Sequence, residues 1–144
     1  MYIEEAIKEK FELFLRQANK NMKHALGIEF EHVSRNEMRA TMPVNENTIQ
    51  PMGILHGGAS VSLAETLASM GGYLNLNDEN KIVVGLEINA NHVRPVPAGK
   101  KVTGTSKPIH RGSQTQVWET RIENEEGKLV SISRCTLAVV NRRN

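Results

Sequence analysis

Gly57-Gly58-Ala59-Ser60-Val61-Ser62-Leu63-Ala64-Glu65-Thr66-Leu67-Ala68-Ser69-Met70-Gly71-Gly72-Tyr73-Leu74-Asn75-Leu76 decides how the rest of this chain must fold. Ala59, Leu63, Leu67, Met70 and Leu74 recur at three- and four-residue steps, the period of an α-helix. Val61, Ala64, Ala68 and Tyr73 carry the apolar surface around most of the circumference, so a helix over 57–76 is expected to be buried on nearly every side. Gly71-Gly72 either weakens its last turns or lets another element pack closely there.

Past Asn80 the period falls to two. Ile82, Val84, Leu86, Ile88 and Ala90 alternate with Val83, Gly85, Glu87 and Asn89, which predicts a strand to about Arg94 with the first set, and His92, turned inwards. Pro95 to Gly99 force a turn, and strands over 101–110, 114–124 and 128–140 follow. Arg111-Gly112-Ser113 and Glu125-Glu126-Gly127 are the turns between them, and Pro108, which has no N–H to give a ladder, belongs at a bulge or an edge. Upstream, Ile28 to Val33 and Met38 to Met42 read as a hairpin around Ser34-Arg35-Asn36. Before it, Ile3, Ile7, Phe11, Phe14, Leu15 and Ala18 share one face of an amphipathic helix within residues 1–20. So apolar a helix beside so many antiparallel strands makes an α+β domain whose sheet must wrap the helix to cover it.

The 144 residues suffice for one domain, 1–144, and not for two cores. Eighteen basic against sixteen acidic side chains leave a formal charge of +2, too small and too scattered to point to nucleic acid. The single cysteine, Cys135, excludes an intrachain disulfide and reads as a small core residue. No His-x-His or His-Glu-x-x-His spacing offers a metal site, and no glycine-rich phosphate loop or Gly-x-Ser-x-Gly elbow occurs. The start Met-Tyr-Ile-Glu-Glu is unlike a signal peptide, the uncharged stretch Asn47 to Ala64 is too polar to span a membrane, and the cytoplasm is the expected compartment.

Between Glu46 and Asp78 the only formally charged residue is Glu65, midway along the most apolar helix. A carboxylate there must be paired, be neutral or face a cavity. A distant Arg94 or Arg134 would make it a structural ion pair; otherwise it is a reactive group. Ser69 lies one turn on, placed to hold a water or a substrate oxygen beside the carboxylate, or else bonded back to the carbonyl of Glu65. His56-Gly57-Gly58 opens the helix, where free N–H groups backed by the dipole can hold an oxyanion; the plainer role is a cap with room for a crossing strand. Gly57 and Glu65 are eight residues apart, about 12 Å along one helix, so one carbonyl cannot touch both. If both act, two chains must share each site across a two-fold axis, and an obligatory dimer is predicted.

The blocks Asn47-Thr48-Ile49-Gln50-Pro51-Met52-Gly53-Ile54-Leu55-His56-Gly57-Gly58 with Leu63-Ala64-Glu65, and Val83-Val84-Gly85-Leu86-Glu87-Ile88-Asn89-Ala90-Asn91-His92-Val93-Arg94, continue through Gly112-Ser113 and Val117-Trp118. Together they resemble the hotdog-fold acyl-CoA thioesterases of the PaaI type, in particular the branch acting on 4-hydroxybenzoyl-CoA and 1,4-dihydroxy-2-naphthoyl-CoA. The resemblance implies an antiparallel sheet wrapped around a central helix. It makes Glu65 the nucleophile or the base for water, and the Gly57 amide the polariser of the thioester carbonyl, assisted by Gln50. It also implies roles for His56 at the loop–helix junction and for Ser69. Met70 and Tyr73 would meet the acyl group, while His92, Arg94, Arg111, Gly112 and Ser113 would line the pantetheine and nucleotide path. Acyl-CoA is then the substrate, no metal or redox cofactor is needed, and a homodimer, paired further into a homotetramer, is expected. A hotdog 3-hydroxyacyl dehydratase and a non-catalytic acyl-CoA-binding module are the competing functions.

Overall fold

The structure, a computed structural model, describes residues 1–17 and 20–143. In chain order its elements are β1 (Tyr2–Ile3), a 3-10 turn (Glu5–Ile7), α1 (Lys8–Leu15), α2 (Met22–Leu26), β2 (Glu29–Val33) and β3 (Met38–Pro43). Then come α3 (Gly57–Leu74), β4 (Lys81–His92), β5 (Lys101–Arg111), β6 (Thr115–Glu123) and β7 (Leu129–Asn141). The strands form one sheet in the order β1-β2-β3-β5-β6-β7-β4, antiparallel except where β1 runs parallel to β2. The sheet curls round α3, which packs on β3, β4, β5, β6 and β7. This is the hotdog layout.

Burial of α3 follows its apolar pattern. Leu63, Leu67, Ala68 and Leu74 are sealed against Met38, Val102, Trp118 and Leu137 from the sheet. Gly71-Gly72 serves close packing: a Cβ on Gly71 would lie 2.6 Å from Trp118 Cη2, and one on Gly72 2.5 Å from Leu137 Cδ1. Trp118 Nε1 donates to Gln116 Oε1 at 2.8 Å, and Gln116 Nε2 donates to the Gly72 carbonyl at 3.2 Å, so the polar groups under the helix are satisfied. One stripe of α3 is left half-open, along Ser62, Glu65, Thr66, Ser69 and Tyr73.

Two expectations need correcting. The N-terminal helix does not begin at Ile3: Tyr2 and Ile3 pair with His32 and Val33, because the edge of β2 offers them backbone partners that a first helical turn lacks. The helix proper starts at Lys8 and ends at Leu15; Ala18 lies outside the described residues. The second correction concerns β4, an edge strand. A bulge at Leu86, between the pairs Gly85–Leu137 and Glu87–Thr136, reverses its alternation. Val83 and Gly85 therefore face α3 before the bulge, and Ile88 and His92 after it. Val84 and Leu86 turn outwards instead, 42% and 62% exposed. A second bulge, in β5 between Pro108 and His110, sits where the proline required one.

Candidate active site

The start of α3 is fixed by the loop before it. Leu55 N–H bonds the Val96 carbonyl and His56 N–H the Thr48 carbonyl, each at 2.8 Å, which sets His56 as the extended N-cap. The ring Nδ1 of His56 accepts from Gly58 N–H at 2.7 Å, and its carbonyl accepts from Ala59 N–H at 3.0 Å. Among the described residues Gly57 N–H has no partner. One donor of the first turn thus points free with the helix dipole behind it. The loop before the helix carries Gln50, and one side chain stands close to Gly57 itself. Gln50 lies in a turn closed by Gly53 N–H onto its carbonyl at 2.9 Å, with its Oε1 taking the Met52 N–H. His92, from β4, covers Gly57 so closely that a Cβ there would come 2.8 Å from its Nε2.

Two turns further along, Glu65 makes no hydrogen bond or ion pair among the described residues, although it is half-buried. Both candidate structural partners are engaged elsewhere: Arg134 with Glu119 at 3.2 Å, Arg94 with the Leu129 carbonyl at 3.1 Å. The carboxylate lies against Gly85 of β4, where a Cβ would collide with its Oε1. Gly85 was not anticipated as a site residue, although a lone glycine within a strand signals such a close approach. Among the described residues Ser69 makes no hydrogen bond back to the helix. Ser62 and Thr66 do, onto the Gly58 and Ser62 carbonyls at 2.8 and 2.7 Å.

Ser69 instead lines a cavity of about 480 Å³, together with Thr66, Met70 and Tyr73 of α3. The opposite walls come from parts of the chain whose role was not anticipated: Phe14 and Leu15 of α1, Met22 and Lys23 of α2, Phe30 of β2, Ile82 and Val83 of β4. Phe14 packs on Tyr73 with ring centres 4.9 Å apart. Lys10 holds that wall in place, donating to the Tyr73 and Leu76 carbonyls at 2.8 Å each, and burial lowers its pKa. Beneath β4, burial pushes the Cys135 thiol up to about 11, with the Glu65 and Glu87 carboxylates adding to the shift. It is a core residue facing the sheet pairs of Ile88 and Trp118.

Arg111, Gly112 and Ser113 stand apart from both clusters within one chain. An Arg111 guanidinium nitrogen donates to the Arg35 carbonyl, Asn36 Oδ1 and Asn75 Oδ1 at 3.0–3.1 Å, which places it at the C-terminal end of α3. Gly112 N–H closes the hairpin onto the Thr115 carbonyl at 2.9 Å, and Ser113 is exposed. The structure therefore gathers His56, Gly57 and His92 at one end of α3, while among the described residues Gln50 bonds only within its own loop, to Met52, Gly53 and Ile54. Glu65 and Gly85 meet at its middle, with Ser69, Met70 and Tyr73 beyond them on the cavity.

Comparison with known proteins places the chain in a family. Residues 52–131 fit the model of the Thioesterase superfamily. The 1,4-dihydroxy-2-naphthoyl-CoA hydrolase of Escherichia coli K12 is 52% identical over 120 residues, 83% of this chain and 87% of that protein. A thioesterase of Haemophilus influenzae superposes with a TM-score of 0.83 at 48% identity, covering 91% of this chain and 90% of that one. The E. coli PaaI protein shares the fold, with a TM-score of 0.81 at 24% identity over 94% of this chain and 96% of that one.

Proposed function

Because the chain belongs to the thioesterase superfamily, we propose that it hydrolyses an aromatic or fused-ring acyl-CoA, with Glu65 as the reacting carboxylate. What carries the assignment is Glu65 itself: a carboxylate with no partner among the described residues, on the one open stripe of an otherwise buried helix, a single turn from an apolar cavity. The acyl group lies in that cavity against Met70 and Tyr73. Its relative's activity on a naphthoyl thioester supports a ring of that size.

Hydrolysis needs a donor for the carbonyl oxygen and an oxygen nucleophile for the carbon. Gly57 N–H, assisted by the Gln50 side chain, polarises the thioester carbonyl. His56, through its bond to Gly58 N–H, holds the turn that aims that donor. Glu65 then attacks the carbon, giving a mixed anhydride that water cleaves, or takes a proton from a water that attacks directly. Either way the C–S bond breaks, CoA leaves and gains a proton as the thiol, and the free acid departs. Ser69 holds the water or the substrate oxygen. His92 and Arg94 flank the pantetheine near the helix start, and Arg111, Gly112 and Ser113 serve the nucleotide. No metal or redox cofactor takes part.

Gly57 and Glu65 lie about 12 Å apart on one straight helix, so the site is shared: Gly57 of one protomer faces Glu65 of the other. The open stripe of α3 and the outward Val84 and Leu86 on edge strand β4 offer the surface for that homodimer, which pairs further into a homotetramer working in the cytoplasm. A dehydratase would use a histidine and a carboxylate as an acid–base pair on a 3-hydroxyacyl chain, whereas the Gln50 and His56-Gly57-Gly58 context favours the thioesterase.

Thiol release from benzoyl-, 4-hydroxybenzoyl-, 1,4-dihydroxy-2-naphthoyl-, phenylacetyl- and medium-chain acyl-CoA tests the reading. Aryl esters should turn over fastest, and Glu65→Gln should cost about 10³-fold in kcat. CoA esters that bind without releasing thiol would make the protein a binding module.

A further inference from the structure

The cavity beyond Ser69 carries charge of one sign only. Lys23 and Arg142 line it, and among the described residues no aspartate or glutamate does. Lys23 is half-buried, its ammonium 5.8 Å from the centre of the Phe30 ring, and it enters no ion pair among the described residues. Arg142 is anchored by its N–H to the Asn80 carbonyl at 2.7 Å and by Nε to the Glu79 carbonyl at 3.4 Å, again without a carboxylate. The remaining wall is largely aromatic and aliphatic: Phe14, Met22, Phe30, Met70 and Tyr73. Uncompensated cations beside an apolar cavity favour a ligand that brings a negative charge to them. Lys10 and Lys107, by contrast, are engaged, Lys10 on the carbonyls at the end of α3 and Lys107 on Glu37.

We propose that Lys23, with Arg142, selects acyl groups bearing a carboxylate at the end remote from the thioester, such as a ring-carboxylated aryl acyl-CoA. The inference rests on the assignment of the reacting end to Glu65 and Ser69, which leaves α2 at the far end of the acyl group.

The test compares kcat/KM for 4-carboxybenzoyl-CoA and benzoyl-CoA in wild type, Lys23→Met and Lys23→Arg, alongside calorimetric binding of terephthalate and benzoate. Wild type should favour the carboxylated ester about five- to tenfold, the worth of one partly screened charge pair. Lys23→Met should bring that ratio close to one, and Lys23→Arg should keep it. A ratio unmoved by Lys23→Met overturns the proposal. So does an equal rise of KM for both esters, which would assign the cations to the phosphates of CoA. If neither ester is hydrolysed by wild type, the thioesterase reading of these acyl groups fails while the free acids still decide: tighter binding of terephthalate, lost in Lys23→Met, upholds the selection, and equal binding removes it.

Discussion

Gly57 is where a single atom's freedom can be isolated. It is the first helical residue, a position that tolerates proline, and His56 before it is already extended at φ −71°, ψ 131°. Gly57→Pro removes the N–H without breaking α3, while Gly57→Ala keeps the N–H and displaces the His92 ring in the same way. The proline should lose about 10²- to 10³-fold in kcat and the alanine much less, checked by steady-state kinetics with circular dichroism as the control for helix content. Cys135 gives a pH signature. An unfolded thiol ionises near 9.0 and the folded one near 11, so the native state holds its proton longer than the unfolded state does. The resulting stability is full below about pH 9 and is lost as the pH rises through 11. Denaturation midpoints followed from pH 8 to 10.5 should fall more steeply for wild type than for Cys135→Ala. These single-residue features differ in how they could be read. Glu65 announces itself by charge in an apolar run and His56-Gly57-Gly58 announces first-turn donors, whereas which of those donors stays free shows only once His56 is seen to take the Gly58 N–H.

At the scale of elements, α1 and α3 act as one unit through Lys10. Its ammonium supplies two hydrogen bonds to the carbonyls at the end of α3 and lies 4.5 Å from the Tyr73 ring centre. Lys10→Met should cost about 1 to 3 kcal/mol in chemical denaturation and raise KM for aryl esters, because Phe14 loses its fixed place against Tyr73. The helical period of α3 was plain because burial on all sides leaves only one solution to its pattern. Strand β4 misled because alternation assumes a constant period, and one bulged residue exchanges its two faces. The N-terminal spacing suited a helix throughout, yet its first two apolar residues were worth more to the open edge of β2. Cavity walls gathered from α1, α2, β2 and β4 leave no local trace at all, since only the tertiary fold brings them together.

For the whole molecule, the proposed sharing of sites predicts complementation between two inactive chains. Mixed from Glu65→Gln and Gly57→Pro protomers, half of the dimers should be hybrids, each with one intact and one doubly damaged site. Activity should return to about a quarter of wild type, measured by thiol release after co-refolding. A mixture that stays inactive would mean each chain builds its site alone. The separate origin of the two walls has a further consequence. In the proposed mechanism carbonyl activation and attack reside on α3 and the strands packed around it, whereas much of the cavity lining belongs to a short N-terminal stretch before β2. Mutations there can drift without disturbing the chemistry, so a lineage could acquire new substrates by revising some twenty residues while inheriting its reaction intact.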